Sequence, residues 1–205
     1  MEIMKSIGFP TNDNDWVKKV LIGGILLIIP IIHFVCTGYY LKAIKGGIEG
    51  RNNMPEWNGW GDMFIKGIMI LIIVFAYLVI PIMVVSIIML IPGLFESMKI
   101  FNTFFILAGS LISFIILILA NLMFPMSLAM FANEGSFGDA FKINEIISRI
   151  NSVFLDYLIA IIVVNILFLL VLMVAWIPII GWAVLFYVMV AAGNIYGEAF
   201  ANSTA

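Results

Sequence analysis

The sequence predicts an all-α fold, a polytopic bundle of membrane helices. Three observations predict it. Four stretches, 20–41, 67–95, 100–133 and 157–197, hold no charged side chain and run to 22, 29, 34 and 41 residues. The chain is 64% hydrophobic. Only 11% of its residues are charged, against about 25% in a soluble domain. A helix crosses the hydrocarbon core with about 20 apolar residues, so the first three runs each cross once and the last can cross twice. One integral membrane domain over residues 1–205 is expected.

The N-terminal arm mixes Glu2, Asp13 and Asp15 with Lys5, Lys18 and Lys19. The apolar run after it is longer than the core of a signal peptide and lacks an Ala-x-Ala exit. It reads as a retained first span over about 20–41. The second span is expected at about 66–91 and the third at about 104–129. The last run would make a helix of about 60 Å at 1.5 Å per residue, so it must turn. The turn is legible in Trp176-Ile177-Pro178-Ile179-Ile180-Gly181-Trp182, where Pro disfavours helix and Gly eases the bend. That gives a fourth span at about 153–175 and a fifth at about 180–200. Pro30, Pro81 and Pro125 read as kinks in three spans, tolerated where neighbours satisfy the freed carbonyls. A gating hinge is the alternative.

Five spans put the termini on opposite sides of the membrane. Loops 42–65 and 130–152 then share a side with the C-terminal tail. Lys and Arg divide six (Lys42, Lys45, Arg51, Lys66, Lys142, Arg149) against four (Lys5, Lys18, Lys19, Lys99). The positive-inside rule leans toward a cytoplasmic placement of both loops. The expected location is the cell membrane, with several passes.

A pentapeptide recurs. Trp60-Gly61-Asp62-Met63-Phe64, Phe137-Gly138-Asp139-Ala140-Phe141 and Tyr196-Gly197-Glu198-Ala199-Phe200 all read aromatic, Gly, acid, small or Met, Phe. The first two are 77 residues apart, which suggests a parallel internal repeat. With five spans all three copies fall on one face of the membrane. Two amphipathic helical segments lying at the lipid interface are expected around the first two. In the first, Trp57, Trp60 and Phe64 form one stripe, with Pro55 at a first helical position and Glu56 in the first turn. In the second, Ser136-x-x-Asp139 resembles a capping box. There Phe137, Phe141, Ile147, Ile150 and Phe154 face one way, opposite Asp139, Lys142, Glu145, Arg149, Ser152 and Asp156. Such a helix lies in the headgroup plane with its apolar face down.

The stretch from Trp16 and Lys19 through Gly23-Gly24, Gly38-Tyr39-Tyr40 and Met54-Pro55-Glu56-Trp57 to Gly61-Asp62-Met63-Phe64 and Gly67, with Tyr196-Gly197 after the last span, carries a family resemblance. The chain resembles the archaeal membrane family catalogued as domain of unknown function 4013 over essentially its whole length. The resemblance implies a small polytopic membrane protein and no assigned activity.

Catalytic motifs are absent. One His excludes two-His metal motifs, and there is no Cys-x-x-Cys, Gly-x-Ser-x-Gly or phosphate-binding Gly-rich loop ending in Lys. No catalytic, cofactor-binding or metal-ligating residue is expected, and no cofactor. His33 within the first run, and Asn121, Asn165 and Asn194 in three others, are the intramembrane polar candidates. Ionisable groups there are costly and often functional, but hydrogen bonding between helices is the commoner role of such side chains. The small residues Gly193, Gly197 and Ala201, and Gly109 with Ser113, form ridges that let helices approach. Trp57, Trp60, Trp176 and Trp182 are expected as interface anchors.

The expected function is a non-enzymatic membrane assembly or scaffold component acting at the lipid interface. Its partners are the lipid bilayer and further copies of the chain or other membrane proteins. A net charge of −2 argues against nucleic acid. The alternative is a small oligomeric transporter or channel with a polar path through His33 and the three Asn. A third reading is a lipid-acting enzyme built on Asp62, Asp139 and Glu198.

Overall fold

A computed structural model describes residues 3–90 and 99–204. Among these there is no strand. The helices are α1 (Ile3–Gly8), α2 (Trp16–Ile28), α3 (His33–Ile48) and α4 (Trp60–Leu90), then α5 (Lys99–Glu134), α6 (Ile143–Ser152), α7 (Phe154–Val174) and α8 (Ile180–Ala201). Short 3-10 turns precede α2 (Phe9–Asn12) and α6 (Phe137–Phe141). The all-α membrane-like architecture is as expected.

The count of five spans is not confirmed. Among the described residues, four helices are long and apolar enough to cross a membrane: α4, α5 from Thr103 to Glu134, α7 and α8. The expected first span at 20–41 is broken into α2 and α3, of 13 and 16 residues. Each is about 20–24 Å long, short of the roughly 30 Å hydrocarbon core. The break is a tight corner at Ile29-Pro30-Ile31-Ile32. The Ile32 N–H donates to the Pro30 carbonyl at 2.8 Å and the His33 N–H to the Ile29 carbonyl at 3.1 Å, with Ile31 at φ +71°. After the corner α3 runs back along α2, and the Cys36 thiol donates to the Gly23 carbonyl.

The corner between α7 and α8 has the same construction. The Ile180 N–H donates to the Pro178 carbonyl at 2.7 Å and the Gly181 N–H to the Ile177 carbonyl at 2.9 Å. Ile179 sits at φ +66°, ψ −56°. A hydrogen bond closing over one residue at these angles is the rare γ-turn of positive φ. A third Ile-Pro-Ile, Ile80-Pro81-Ile82, stays helical within α4. A π-helical turn at Phe75–Val79 comes just before it, and this wider turn relieves the clash that the proline ring makes with the preceding turn of an α-helix. Pro125 likewise lies inside α5 without ending it. The end of the expected second span at residue 91, and the loop after it, fall outside the described residues.

The chain forms two compact units. One comprises residues 1–70 and 125–205, the other 71–124. The second unit holds the later part of α4 and the earlier part of α5. Gly109 faces Met89, whose sulfur an added Cβ would strike. Ser86, Ser110 and Ser113 each donate to the carbonyl four residues back at 2.6–2.8 Å. That pairing hides their hydroxyls from an apolar surround. Ile72, Phe75, Ile80, Met83 and Ile87 of α4, and Leu107, Leu111 and Phe114 of α5, are exposed, as residues facing lipid would be.

The first unit is built around α8, which packs on α3, α2, α7 and α1. Glycines set these contacts. A Cβ on Gly24 would meet the Ala183 backbone, on Gly197 the Ile44 carbonyl, on Gly47 the Asn194 carbonyl, and on Gly23 the Phe186 ring. The Gly193–Gly197 ridge is thus used inside the bundle, against α3. The start of α4 approaches α3 equally closely, Gly38 facing the Met63 carbonyl and Gly67 the Phe34 carbonyl. The core holds Cys36, Tyr39, Ala43, Met63, Phe186 and Val190. The end of α5 from Met126 to Ala132 is buried as well.

The expected helix around Pro55 does not form. Residues 51–59 are an irregular strap, and its Pro55 carbonyl accepts the Tyr39 hydroxyl proton. Trp57 turns inward, stacked on Phe186 at 5.5 Å and tilted against Tyr39 at 4.3 Å between ring centroids. Its indole N–H donates to the Lys19 carbonyl. The strap is ordered by a half-buried aromatic and not by helical hydrogen bonds. The second expected segment is helical but in three pieces: the turn Phe137–Phe141, α6, and the start of α7. Ile146 and Ile150 are buried, whereas Phe141, Ile143, Ile147 and Phe154 are exposed.

Candidate functional site

Two polar features are built into the first unit. The first is a buried charge cluster where the N-terminal arm enters α2. Lys19 is 5% exposed. Its ammonium pairs with Asp13 Oδ2 at 2.7 Å and Glu56 Oε1 at 2.6 Å, and donates more weakly to the Met54 carbonyl. Asp13 also accepts the Asp15 N–H at 2.8 Å. Burial alone would raise the Asp13 carboxyl, but hydrogen bonds from Lys19 and the Asp15 backbone outweigh it and hold the group below its ordinary value. The cluster staples the arm, α2 and the strap together.

The second is a polar cleft at the C-terminal ends of α3 and α8. Gly47 and Gly197 bring the two backbones into contact, which places Asn194 and Glu198, one turn apart on α8, beside the end of α3. Gly47, Gly50, Arg51 and Asn52 form one wall and Lys5, Ser6, Phe9 and Asn12 of the arm the other, around a cavity of about 240 Å³. Ser6 Oγ donates to Glu198 Oε2 at 2.6 Å. Arg51 pairs with Glu49. Gly50, at φ +66°, turns the chain out of α3. The last carbonyls of α3 are already occupied: Lys45 accepts from the Glu49 N–H, Gly46 from Arg51 and Gly47 from Gly50.

The polar residues singled out from the sequence are dispersed. Asn194 and Glu198 meet at the cleft. His33 begins α3 at the corner, its ring against Phe34 at 4.2 Å. Asn165 is exposed on α7 and donates to the Ile161 carbonyl of its own helix at 2.8 Å. Asn121 is exposed in the second unit. The three acids of the recurring pentapeptide take different partners: Asp62 pairs with Lys66 at 2.9 Å, Asp139 with Lys142 at 2.8 Å, and Glu198 accepts from Ser6. Trp60, Trp176 and Trp182 are exposed, Trp176 most at 79%. Among the described residues no group of three His, Cys, Asp or Glu is placed to hold a metal ion.

Helix α6, which follows the second pentapeptide, is joined to the end of α8, which carries the third. Arg149 of α6 sits over the Phe200 ring at 4.4 Å and donates to Ser203 Oγ, while the Thr204 N–H donates to Ser152 Oγ. Sequence reasoning missed the burial of Lys19 and the roles of Ser6, Arg51 and Asn52. The only signal for Lys19 was a cation placed against an apolar run. Ser6 carried none, because its partner is 192 residues away.

The family model described as a protein of unknown function, DUF4013, matches residues 22–180. The chain belongs to that family. It is 28% identical to the uncharacterized protein MJ1189 of Methanocaldococcus jannaschii over 166 residues, which cover 75% of this chain and 53% of that protein. The chain therefore spans about half the length of this curated relative. No solved structure matches it.

Proposed function

We propose that this member of the DUF4013 family is a non-enzymatic, multi-pass membrane protein that assembles with itself or with other membrane components and works at the cytoplasmic lipid surface. The carrying observation is α6. It is fastened to the end of α8 by Arg149, buries Ile146 and Ile150, and leaves Ile143 and Ile147 exposed beside Phe141 and Phe154. That pattern suits an amphipathic helix seated in the headgroup layer. The dispersal of His33, Asn165 and Asn194 supports assembly over a polar transport path, since each sits in its own local setting.

The broken first run supports the orientation. With α2 and α3 as a hairpin that enters and leaves on one face, four crossings put the arm, loops 42–65 and 130–152 and the C-terminal tail on a single side. Nine of the ten cations (Lys5, Lys18, Lys19, Lys42, Lys45, Arg51, Lys66, Lys142 and Arg149) then share that side, and Lys99 stands alone on the other. The positive-inside rule makes the nine-cation side cytoplasmic.

Cross-linking in the native membrane, read by mass spectrometry, tests the assembly role. A recurring neighbour joined through residues 141–154, whether a second copy or another membrane protein, is the expected result. Solute flux in reconstituted vesicles without any such neighbour would replace this reading with transport.

A further inference from the structure

We infer that α6 docks on loosely packed lipid: its exposed arc enters the acyl-chain layer where headgroups part, whatever charge those headgroups carry. This rests on the reading of α6 as a helix at the lipid surface, and it names the property of that surface to which the helix responds. The exposed residues of α6 are Ile143, Asn144, Ile147, Ser148, Asn151 and Ser152. None of them is charged. Going round the helix at 3.6 residues per turn, three arcs follow one another. Ile146, Ile150, Ile143 and Ile147 make an apolar arc, the first two buried and the last two exposed. Asn151, Asn144 and Ser148 make an uncharged polar arc. Ser152, Glu145 and Arg149 make the third, which is taken up by protein. Glu145 pairs with Arg149 at 3.2 Å, Arg149 reaches Phe200 and Ser203, and Ser152 accepts from the Thr204 N–H.

The position of α6 in the chain names the occupant of its exposed arc. Val153 alone separates it from α7, which is long and apolar enough to cross a membrane. Phe154 and Leu155, at the start of α7, are exposed as well. The Ile143–Ile147 arc therefore stands where a lipid-facing surface begins. Charge then decides which lipid surface suits it. Binding of such helices grows with the apolar area they bury and with attraction of their cations to anionic headgroups. The second contribution is missing here. Lys142, just before the helix, is paired with Asp139 at 2.8 Å, and Arg149 is turned to α8. Over residues 134–156 four acids (Glu134, Asp139, Glu145 and Asp156) stand against two bases. Only apolar insertion remains, and it needs gaps between headgroups, which curvature and lipid composition control.

The test uses the full chain carrying Asn151→Cys, labelled with a polarity-sensitive dye and reconstituted in vesicles. Position 151 borders the arc beside Ile147, so both isoleucines stay in place. Cys36 is buried and takes no label. Large vesicles of saturated phosphatidylcholine are compared with small vesicles of unsaturated phosphatidylcholine, each with and without phosphatidylglycerol. Emission should rise about twofold from the tightly to the loosely packed vesicles and should not rise with phosphatidylglycerol. Ile143→Ser combined with Ile147→Ser should remove the rise, and because both side chains are exposed the fold should survive the change. Emission that follows phosphatidylglycerol and ignores packing, or an equal rise after the serine pair, overturns the inference while leaving α6 at the lipid surface. Strong emission of equal size in every vesicle and in detergent overturns it in favour of a second copy covering the arc. Water-like emission in every vesicle overturns it together with the headgroup placement on which it rests.

Discussion

Ser6 Oγ lies 2.6 Å from Glu198 Oε2. This hydrogen bond fastens the N-terminal arm to the last turn of α8 and so puts both ends of the described chain at one end of the first unit. It follows that single cysteines placed at Asn12 and at Asn202 react with an impermeant thiol reagent from the same side of oriented vesicles. The natural thiol, Cys36, is buried and supplies a silent background. Labelling from opposite sides would restore five crossings and remove the hairpin.

The glycines between α3 and α4 should be intolerant of a methyl group. A Cβ on Gly38 or Gly67 would press on a backbone carbonyl, of Met63 or Phe34, and a carbonyl cannot rotate away as a side chain can. Gly38→Ala and Gly67→Ala are each expected to destabilise by about 1–3 kcal/mol or more. Gly61, in the same region of α4, has nothing within 4 Å, and Gly61→Ala should be neutral to within about 1 kcal/mol. Denaturant unfolding in detergent checks all three, and equal effects would mean that α3 and α4 are not in backbone contact.

These contacts show where the sequence was readable. Uncharged runs identify apolar helices because a charge in hydrocarbon is too costly, so α4, α5, α7 and α8 were legible. The corner at 29–32 was not read, although its four residues, Ile-Pro-Ile-Ile, repeat those at 177–180 where the turn was read. The difference was length. A 41-residue run must turn, while a 22-residue run fits one crossing and gives no reason to. Nor does the tripeptide Ile-Pro-Ile decide alone, since Ile80-Pro81-Ile82 remains helical. What distinguishes the two corners is close packing beside them, at Gly23 and Gly24 in one case and Gly181 in the other. At the first corner that contact is with Ala183 and Phe186 of α8, far along the chain, and one sequence does not display it. The cleft was hidden for the same reason: Asn194 and Glu198 drew notice, but Ser6 and Arg51 acquire meaning only once α3 and α8 touch.

Lys19 and Asp13 should behave as a buried pair. Their side chains are 6% and 8% exposed. Lys19→Ala leaves the Asp13 carboxylate without its cation, and the expected loss is about 3–5 kcal/mol. Lys19→Met combined with Asp13→Leu removes both charges and should recover much of that loss. Glu56 is largely exposed, so Glu56→Gln is expected to cost under about 1 kcal/mol. A double variant no more stable than Lys19→Ala would show that the cluster holds the arm through geometry beyond the charge pair.

The same pair predicts an acid response. The Asp13 carboxyl is held below its unfolded value of 3.8. A depressed native value means that the unfolded state takes up the proton first, so the contribution is whole above pH 3.8 and is lost as pH falls through the native value. Stability should therefore be level through the neutral range and decline below about pH 4. In Asp13→Asn that part of the decline should vanish. An unchanged acid limb in this variant would assign the response to other carboxylates.

The two corners offer a final test. Ile31 and Ile179 hold positive φ, at +71° and +66°, where a β-branched side chain is a steric outlier. Such a residue costs about 1–3 kcal/mol, set against the roughly 1 kcal/mol of extra chain entropy a glycine loses on folding. Both side chains are exposed, so glycine forfeits little burial there. Ile31→Gly and Ile179→Gly should leave stability unchanged or raise it by up to about 2 kcal/mol. Alanine keeps the strain and loses the branch, so Ile31→Ala should gain less than Ile31→Gly. If 20–41 were one straight helix instead, residue 31 would lie mid-helix, and glycine there would cost about 1 kcal/mol relative to alanine. The order of the two variants at position 31 thus separates a corner from a continuous span without any topology reagent.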